Sequence, residues 1–477
     1  MLTTNSLRKI PFICSVLFLT VGTVSTGLGQ SANYEAASWK TWLLDNPHEI
    51  TIAAPPASAQ SKAELQSVKQ GMGKIDEKKS EAIRYWNAGA PAYRWNQIIP
   101  NLISQKPEVL LRMPSSWMNI AIYDATILAW KEKLKYKRKR PGAIDPSLKS
   151  AINAPLTYSY PCEHSVTAAA AAYTLAYFFP AKADSIMQMA HAASQSRVDA
   201  GVQFPSDVEA GWKLGEQVAK QIIEKAKNDG SATVWDGKMN KDPKKWTGAY
   251  PLGITLASFT PIVIRSADQF RLPPPPDFEN DMKEMKNFKQ TFKTAALAYY
   301  WASSGNIWTE LAGQKMFEYR MADDAPAVAR IYTVLSTASH DAAIAIMDAK
   351  YAYWGIRPNQ YDPTYKPLIG TPPFPGYPSG HAAGSATSSA VLEYFFPADA
   401  RQFQKLAQDC ADSRFYAGIH FRVDNEDGLK MGREIGRYVV ETWMKKEEIS
   451  TTKNKGHKKS AKMPEIKPAN LIPDKNR

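Results

Sequence analysis

The residues best equipped for chemistry are gathered in the second half of the chain. Lys350 and Arg357 are followed by Pro378-Ser379-Gly380-His381, then by Ser413-Arg414, His420 and Asp424. Lys350, Arg357 and Arg414 suit a tetrahedral anion, the arginines as forked donors and the lysine as a point charge. Ser379 and Gly380 stand just before a helix expected from about His381. Free N–H groups at a helix N-terminus, with a glycine that permits close approach, suit a phosphate-like ligand. Pro378 restricts its neighbours and helps define that approach. His420 and Asp424 are four residues apart, so a helix beginning near His420 brings them to one face. A carboxylate on one ring nitrogen fixes the tautomer and leaves the other nitrogen free to attack or to ligate. His381 is then the general acid–base partner. Taken singly, each histidine could be core, and Arg357 and Arg414 could be ion-pair partners of Asp341 or Asp412. As a set they describe an oxyanion site with a nucleophile.

An internal repeat organises the elements that must hold these residues. Tyr160-Pro161-Cys162-Glu163-His164 and Tyr377-Pro378-Ser379-Gly380-His381 are each followed by an Ala-rich stretch that ends in Tyr-Phe-Phe-Pro-Ala, at an offset of 217 residues. The same offset relates Lys133 to Lys350, Arg140 to Arg357, Arg197 to Arg414, Gly201 to Gly418 and Asp124 to Asp341. Its persistence points to a duplication. Asp341, repeated as Asp124, is expected to be a structural partner for an arginine of either half. The first copy departs where chemistry would occur. Ser379 and Gly380 become Cys162 and Glu163, which places a carboxylate where an anion should approach, and His420 becomes Gln203. The first copy therefore reads as a scaffold.

Residues 165–179 and 382–396 are Ala-rich and free of internal Pro, and 208–227 and 429–446 carry apolar residues at three- and four-residue steps; all four predict helices. Strand signals are scarce. The expected fold is all-α: two tandem helix bundles, a degenerate one over 31–228 and a catalytic one over 291–448. A Pro/Trp-rich connection, 229–290, runs between them and contains four prolines from Pro273 to Pro276.

Of the 477 residues, 44% are hydrophobic and 22% charged, ordinary values for a globular chain. The net charge of +13 is concentrated at the ends: +2 before residue 31 and +6 over 449–477, which leaves +5 for the body. No basic stripe with interleaved aromatics is present, which excludes nucleic acid as the expected partner. The tail at 449–477 reads as a disordered basic terminus. Arg8-Lys9, an apolar run and small residues make 1–30 a signal peptide, so the expected location is periplasmic or extracellular. No later segment is apolar enough for a membrane span. Cys162 and Cys410 remain, and spacing does not decide whether they pair. Oligomeric state is not legible.

The second-copy pattern resembles the signature of the type 2 phosphatidic acid phosphatase (PAP2)/vanadium-dependent haloperoxidase superfamily, directly over about residues 340–430 and through the repeat over 120–210. The resemblance implies that His420 bonds to phosphorus or, where vanadate is the cofactor, to vanadium. It also implies that His381 transfers protons, that Asp424 orients His420, and that Lys350, Arg357, Ser379, Gly380 and Arg414 hold the oxygens. The run from Pro372 to His381 resembles the soluble haloperoxidases. Phe374 falls where chloroperoxidases carry Phe and bromoperoxidases a second His, which makes it a halide-site candidate. The implied substrates are peroxide and halide, or a phosphate ester, in which case no cofactor is needed. A phosphate- or vanadate-binding protein without turnover is the third reading.

Overall fold

The computed structural model describes residues 33–106, 108, 113–302 and 306–454. The expected signal peptide and the tail from residue 455 lie outside the described residues. Among the described residues there is no β-strand. The N-terminal half contains α1 (Ser58–Met72), α2 (Glu77–Trp86), α3 (Pro91–Gln105), α4 (Pro114–Tyr136), α5 (Pro141–Ile144), α6 (Glu163–Phe178), α7 (Ala183–Asp199) and α8 (Pro205–Lys227). After a long connection come α9 (Glu279–Asn287), α10 (Phe292–Ala302), α11 (Ile307–Glu318), α12 (Ala325–Tyr353), α13 (Pro358–Tyr361), α14 (Gly380–Phe395), α15 (Ala400–Tyr416) and α16 (Arg422–Asn454). The helix expected over 429–446 thus starts earlier and continues past 448 to Asn454.

The 217-residue offset governs the backbone as well as the sequence. It relates α5 to α13, α6 to α14 and α7 to α15 at both ends, and α8 to α16 at their first residues. Lys137 and Trp354, which end α4 and α12, are both left-handed, at φ 49° and 50°. Tyr160-Pro161 and Tyr377-Pro378 are both cis. Within each half the tightest packing is between the Ala-rich helix and the last one, α6 on α8 and α14 on α16. Glycine makes this possible. A Cβ on Gly215 would lie 2.3 Å from the Val166 carbonyl, and one on Gly432 would lie 2.0 Å from that of Ala383.

Helices α4 and α12 join the halves. Both are buried almost all round, as a helix at the centre of a large core must be. Thr333 donates to the Asn119 carbonyl (2.8 Å), and Ser116 Oγ meets His340 Nδ1 at 2.7 Å across this contact. One hydrophobic cluster, from Ala36 to Trp443, runs through both halves. The halves are therefore fused at a common core.

Asp124 and Asp341 hold backbone straps. Asp341 accepts from the N–H groups of Ile262 (2.8 Å), Val263 (2.7 Å) and Ile264 (2.9 Å). Asp124 accepts from Trp42, Leu43 (3.0 Å) and Leu44 (3.2 Å). This corrects the arginine-partner expectation for Asp341: a buried carboxylate with three backbone donors in reach needs no cation. The connection it ties down lies along the C-terminal half. Leu252 N–H donates to the Pro373 carbonyl (2.9 Å), and the Tyr377 hydroxyl donates to that of Pro273 (2.9 Å). Asp341→Ala would orphan three amides, and we expect it to cost about 3–5 kcal/mol of stability. Urea denaturation checks this; a loss under about 1 kcal/mol would show that the strap is held elsewhere.

Candidate active site

Six pieces of chain converge on the site. Lys350 comes from the last turn of α12 and Arg357 from the residue before α13. Ser379 caps α14, Gly380 is its first residue and His381 its second. Arg414 lies near the end of α15, His420 precedes α16, and Asp424 sits in the first turn of α16. Lys350, Arg357, Ser379, Arg414, His420 and Asp424 are buried; Gly380 and Phe374 are half-buried; His381 is exposed. The structure brings this set together.

The His420 ring is fixed at both nitrogens. Nδ1 lies 3.0 Å from Asp424 Oδ2, which also accepts the Phe421 N–H at 3.1 Å. Nε2 lies 2.9 Å from Arg357 Nη1. A guanidinium can only donate, so Nε2 is the acceptor and the ring proton is on Nδ1. The nitrogen with the lone pair thus faces the cations. Arg357 also donates from Nη1 to the Ile419 carbonyl (2.8 Å) and from Nε to that of Phe374 (3.1 Å), while its buried Nη2 has no partner. Asp424 Oδ1 is likewise buried and unpaired.

Lys350 behaves differently from the sequence expectation. Its Nζ donates to the carbonyls of Pro375 (2.7 Å), Gly376 (2.8 Å) and Pro378 (2.7 Å), which uses its three protons on the loop that leads into α14. Its contribution is to fold that loop and to supply positive potential. Arg414 donates from Nη2 to the Ala298 carbonyl of α10 (2.8 Å) and from Nε to Ser413 Oγ (2.9 Å). The Phe374 ring covers Lys350 and Arg357, 5.2 Å from each cation.

These charges act on the histidines. Burial, followed by Arg357 and Lys350, holds His420 well below the usual imidazole value, so it is neutral at ordinary pH. His381 is lowered to about 4, first by crowding protein atoms and then by Arg414, Lys350 and Arg357, although its ring keeps open surface. Burial raises the Asp424 carboxyl against the pull of Lys350 and Arg357. Burial and then Arg357 lower Lys350 well below the usual lysine range, yet its three carbonyl acceptors match an ammonium, and Arg357, lowered to about 10, stays a cation, so the cluster suits an anion.

The N-terminal half shows the same frame with a carboxylate of its own inside it. Lys133 donates to the carbonyls of Tyr158 (2.6 Å) and Pro161 (2.7 Å), positions equivalent to Pro375 and Pro378. The Glu163 carboxylate, at the Gly380 position, receives Lys133 Nζ (2.8 Å), Arg140 Nη2 (2.8 Å) and Gln203 Nε2 (3.2 Å). Asp207, the counterpart of Asp424, pairs with Arg138 at 2.7 Å, where the second half has Gly355. Cys162 and Cys410 are free and buried.

A family model of the PAP2 superfamily matches residues 115–227, and one of the VCPO second helical-bundle domain matches residues 399–448. Among solved structures, the first bacterial vanadium-dependent iodoperoxidase is 23% identical, with 82% of this chain and 98% of that one covered at a TM-score of 0.56. A holo-type bacterial vanadium-dependent chloroperoxidase is 15% identical, with 71% and 92% covered at 0.53. No curated protein matches. These likenesses are of fold. With the two partial family matches they make the chain similar to the PAP2 superfamily over residues 115–227 and to the haloperoxidase second bundle over residues 399–448. Among the described residues no helix is long and apolar enough to cross a membrane.

Sequence reasoning missed the carbonyl collar around Lys350, the Ala298 carbonyl under Arg414 and the Arg138–Asp207 pair. Main-chain acceptors have no residue type to betray them. One signal did exist: Lys133 is kept in the copy where Gln203 stands at the position of His420, which marks the lysine as a loop organiser.

The folded-state pKa of His381 lies below that of a free imidazole. The folded chain therefore binds fewer protons between about pH 6.5 and 4, and stability falls as pH drops through that window. An oxyanion among the cations would offset their charge. We expect saturating phosphate to raise the His381 pKa, read by imidazole NMR titration; an unmoved value would place the anion elsewhere.

Proposed function

We propose that this chain is a vanadium-haloperoxidase-like enzyme that works at His420. The observation that carries the reading is the His420 ring, with its proton directed to Asp424 and its lone pair turned toward a buried Arg357 that keeps an unpaired Nη2. A protein that only bound an anion would need the cations and amides but not this oriented imidazole. The donor set fits vanadate: a neutral imidazole nitrogen, an orphan guanidinium donor and the N-terminus of α14. His420 would hold it as the vanadium ligand, with Arg357, Arg414, Ser379 and Gly380 around the oxygens and Lys350 adding charge from behind. Bound vanadate would supply a Lewis-acidic centre that activates peroxide for oxidation of a halide. The chain's own part is to keep His420 neutral, hold the anion's charge and exchange protons with solvent through His381. Phe374, over the two cations, is the wall a halide would meet.

The same geometry supports a second reading, hydrolysis of a phosphate monoester. His420 Nε2 would attack phosphorus, forming a P–N bond as the P–O bond to the alcohol breaks. His381 would protonate the leaving oxygen, and water would then release phosphate. Exposure of His381 and burial of His420 suit this division. With the signal peptide expected over residues 1–30, either reaction would take place outside the cytoplasm.

The deciding measurement is oxidation of bromide and iodide by peroxide with phosphate-stripped protein, before and after orthovanadate is added. We expect activity only with vanadate, reduced at least about a thousandfold in His420→Ala and about 10–100-fold in Asp424→Asn. If halide is not oxidised and vanadate instead inhibits monoester hydrolysis, the phosphatase reading holds and the first is refuted.

A further inference from the structure

The N-terminal half keeps most of an oxyanion frame. Lys133, Arg140, Gln203 and Glu163 stand at the positions of Lys350, Arg357, His420 and Gly380, all at the 217-residue offset. Glu163 is the first residue of α6, a helix of 16 residues, and is only 5% exposed. Its carboxylate is held by Lys133 (2.8 Å), Arg140 (2.8 Å) and Gln203 (3.2 Å). These are the donors an external anion would use at a helix N-terminus. The second half has no side chain there. A Cβ on Gly380 would meet only Ile346 at 3.7 Å and Lys350 Cε at 3.8 Å, ordinary contacts that leave the approach to the cations clear.

A path to the first-half frame exists. Glu163 and His164 line a cavity of about 460 Å³, together with Asn87, Ser150, Asn153 and Thr157. That volume is in the range of small-molecule sites. Both His164 ring nitrogens are buried without a partner, and Arg197, behind the same wall, donates only to neutral groups, among them Asn87 Oδ1 at 3.0 Å and the Ile83 carbonyl at 3.2 Å. Lys133, Arg140 and Arg197 therefore surround a single carboxylate, and positive charge remains in excess.

We propose that the N-terminal half is a second oxyanion-binding site that its own Glu163 carboxylate occupies, in the place a phosphate-like anion would take. The internal carboxylate takes the hydrogen bonds of Lys133, Arg140 and Gln203 that an external anion would otherwise receive. The inference does not depend on which reaction the other half performs.

The test is titration calorimetry of the full-length protein with inorganic phosphate, wild type against Glu163→Gly. The glycine is what the second copy carries at this position of its helix. We expect Glu163→Gly to gain one phosphate site per chain, and Glu163→Gly/Arg140→Gln to weaken that added site at least about tenfold. Glu163→Gln keeps the bulk of the plug and should gain no site. If Glu163→Gly folds poorly, phosphate should raise its melting temperature by more than it raises that of the wild type. No added site in folded Glu163→Gly, no phosphate-dependent recovery in an unstable one, or an equal gain in Glu163→Gln would overturn the proposal. A wild type that binds none and a variant that binds one would uphold it while refuting the reading of the C-terminal site.

Discussion

Buried positive charge held by backbone carbonyls is the constraint around which this structure is built. Lys350, Arg357 and Arg414 are at most 1% exposed, and Asp424 is the one carboxylate buried among them. An ion removed from water is costly unless its donors are satisfied. The chain satisfies them by bending main chain toward the cations: Pro375, Gly376 and Pro378 around Lys350, Phe374 and Ile419 around Arg357, Ala298 around Arg414. Carbonyls supply hydrogen bonds but no net charge. Most of the donors are thus satisfied without any net negative charge, while Arg357 Nη2 stays unpaired, a state the proposed oxyanion would correct.

The two halves solve this problem differently on one backbone. In the first, Glu163 takes the donors of both Lys133 and Arg140, and Arg138 pairs with Asp207. In the second, Gly380 and Gly355 replace the glutamate and the arginine, and an Arg357 nitrogen and an Asp424 oxygen are left without partners. Because α4 and α12 share one core, the satisfied half is a rigid support for the unsatisfied one. A frustrated site persists only where the surrounding structure over-determines it.

Much of this was legible in the sequence, and the rest was hidden for identifiable reasons. The repeat, the all-helical architecture and the gathering of Lys350, Arg357, Ser379, His381, Arg414, His420 and Asp424 follow from residue types at fixed spacing. The four-residue spacing of His420 and Asp424 pointed to the start of α16, at Arg422, although the apolar period itself became readable only from Leu429. It is Asp424, accepting the Phe421 N–H, that secures the first turn. The role of Asp341 was misread because a buried carboxylate suggests a cation, whereas its partners are amides of a strap about 80 residues upstream. Lys350 was assigned to the anion because its charge is visible in sequence and its carbonyl partners are not. These gaps share one origin: side-chain identity predicts charge, while the distribution of hydrogen bonds depends on main chain placed by tertiary structure.

The division of labour between the two histidines follows from burial rather than from residue type. His420 is 2% exposed and has both nitrogens engaged, one by a carboxylate and one by a guanidinium. Protonating Nε2 would set a cation against Arg357 in a dry place, so this imidazole is confined to acting through its lone pair. His381 starts one residue into α14 with open surface, under the same cations but in reach of water. It can gain a proton when an anion cancels the field around it and lose that proton when the anion's charge departs. On the proposed reading, acid–base function on this residue is conditional on the site being filled. In the proposed reactions, a histidine that stays neutral until an oxyanion is present would add no charge to the resting site, and would become a stronger hydrogen-bond donor once the anion arrived.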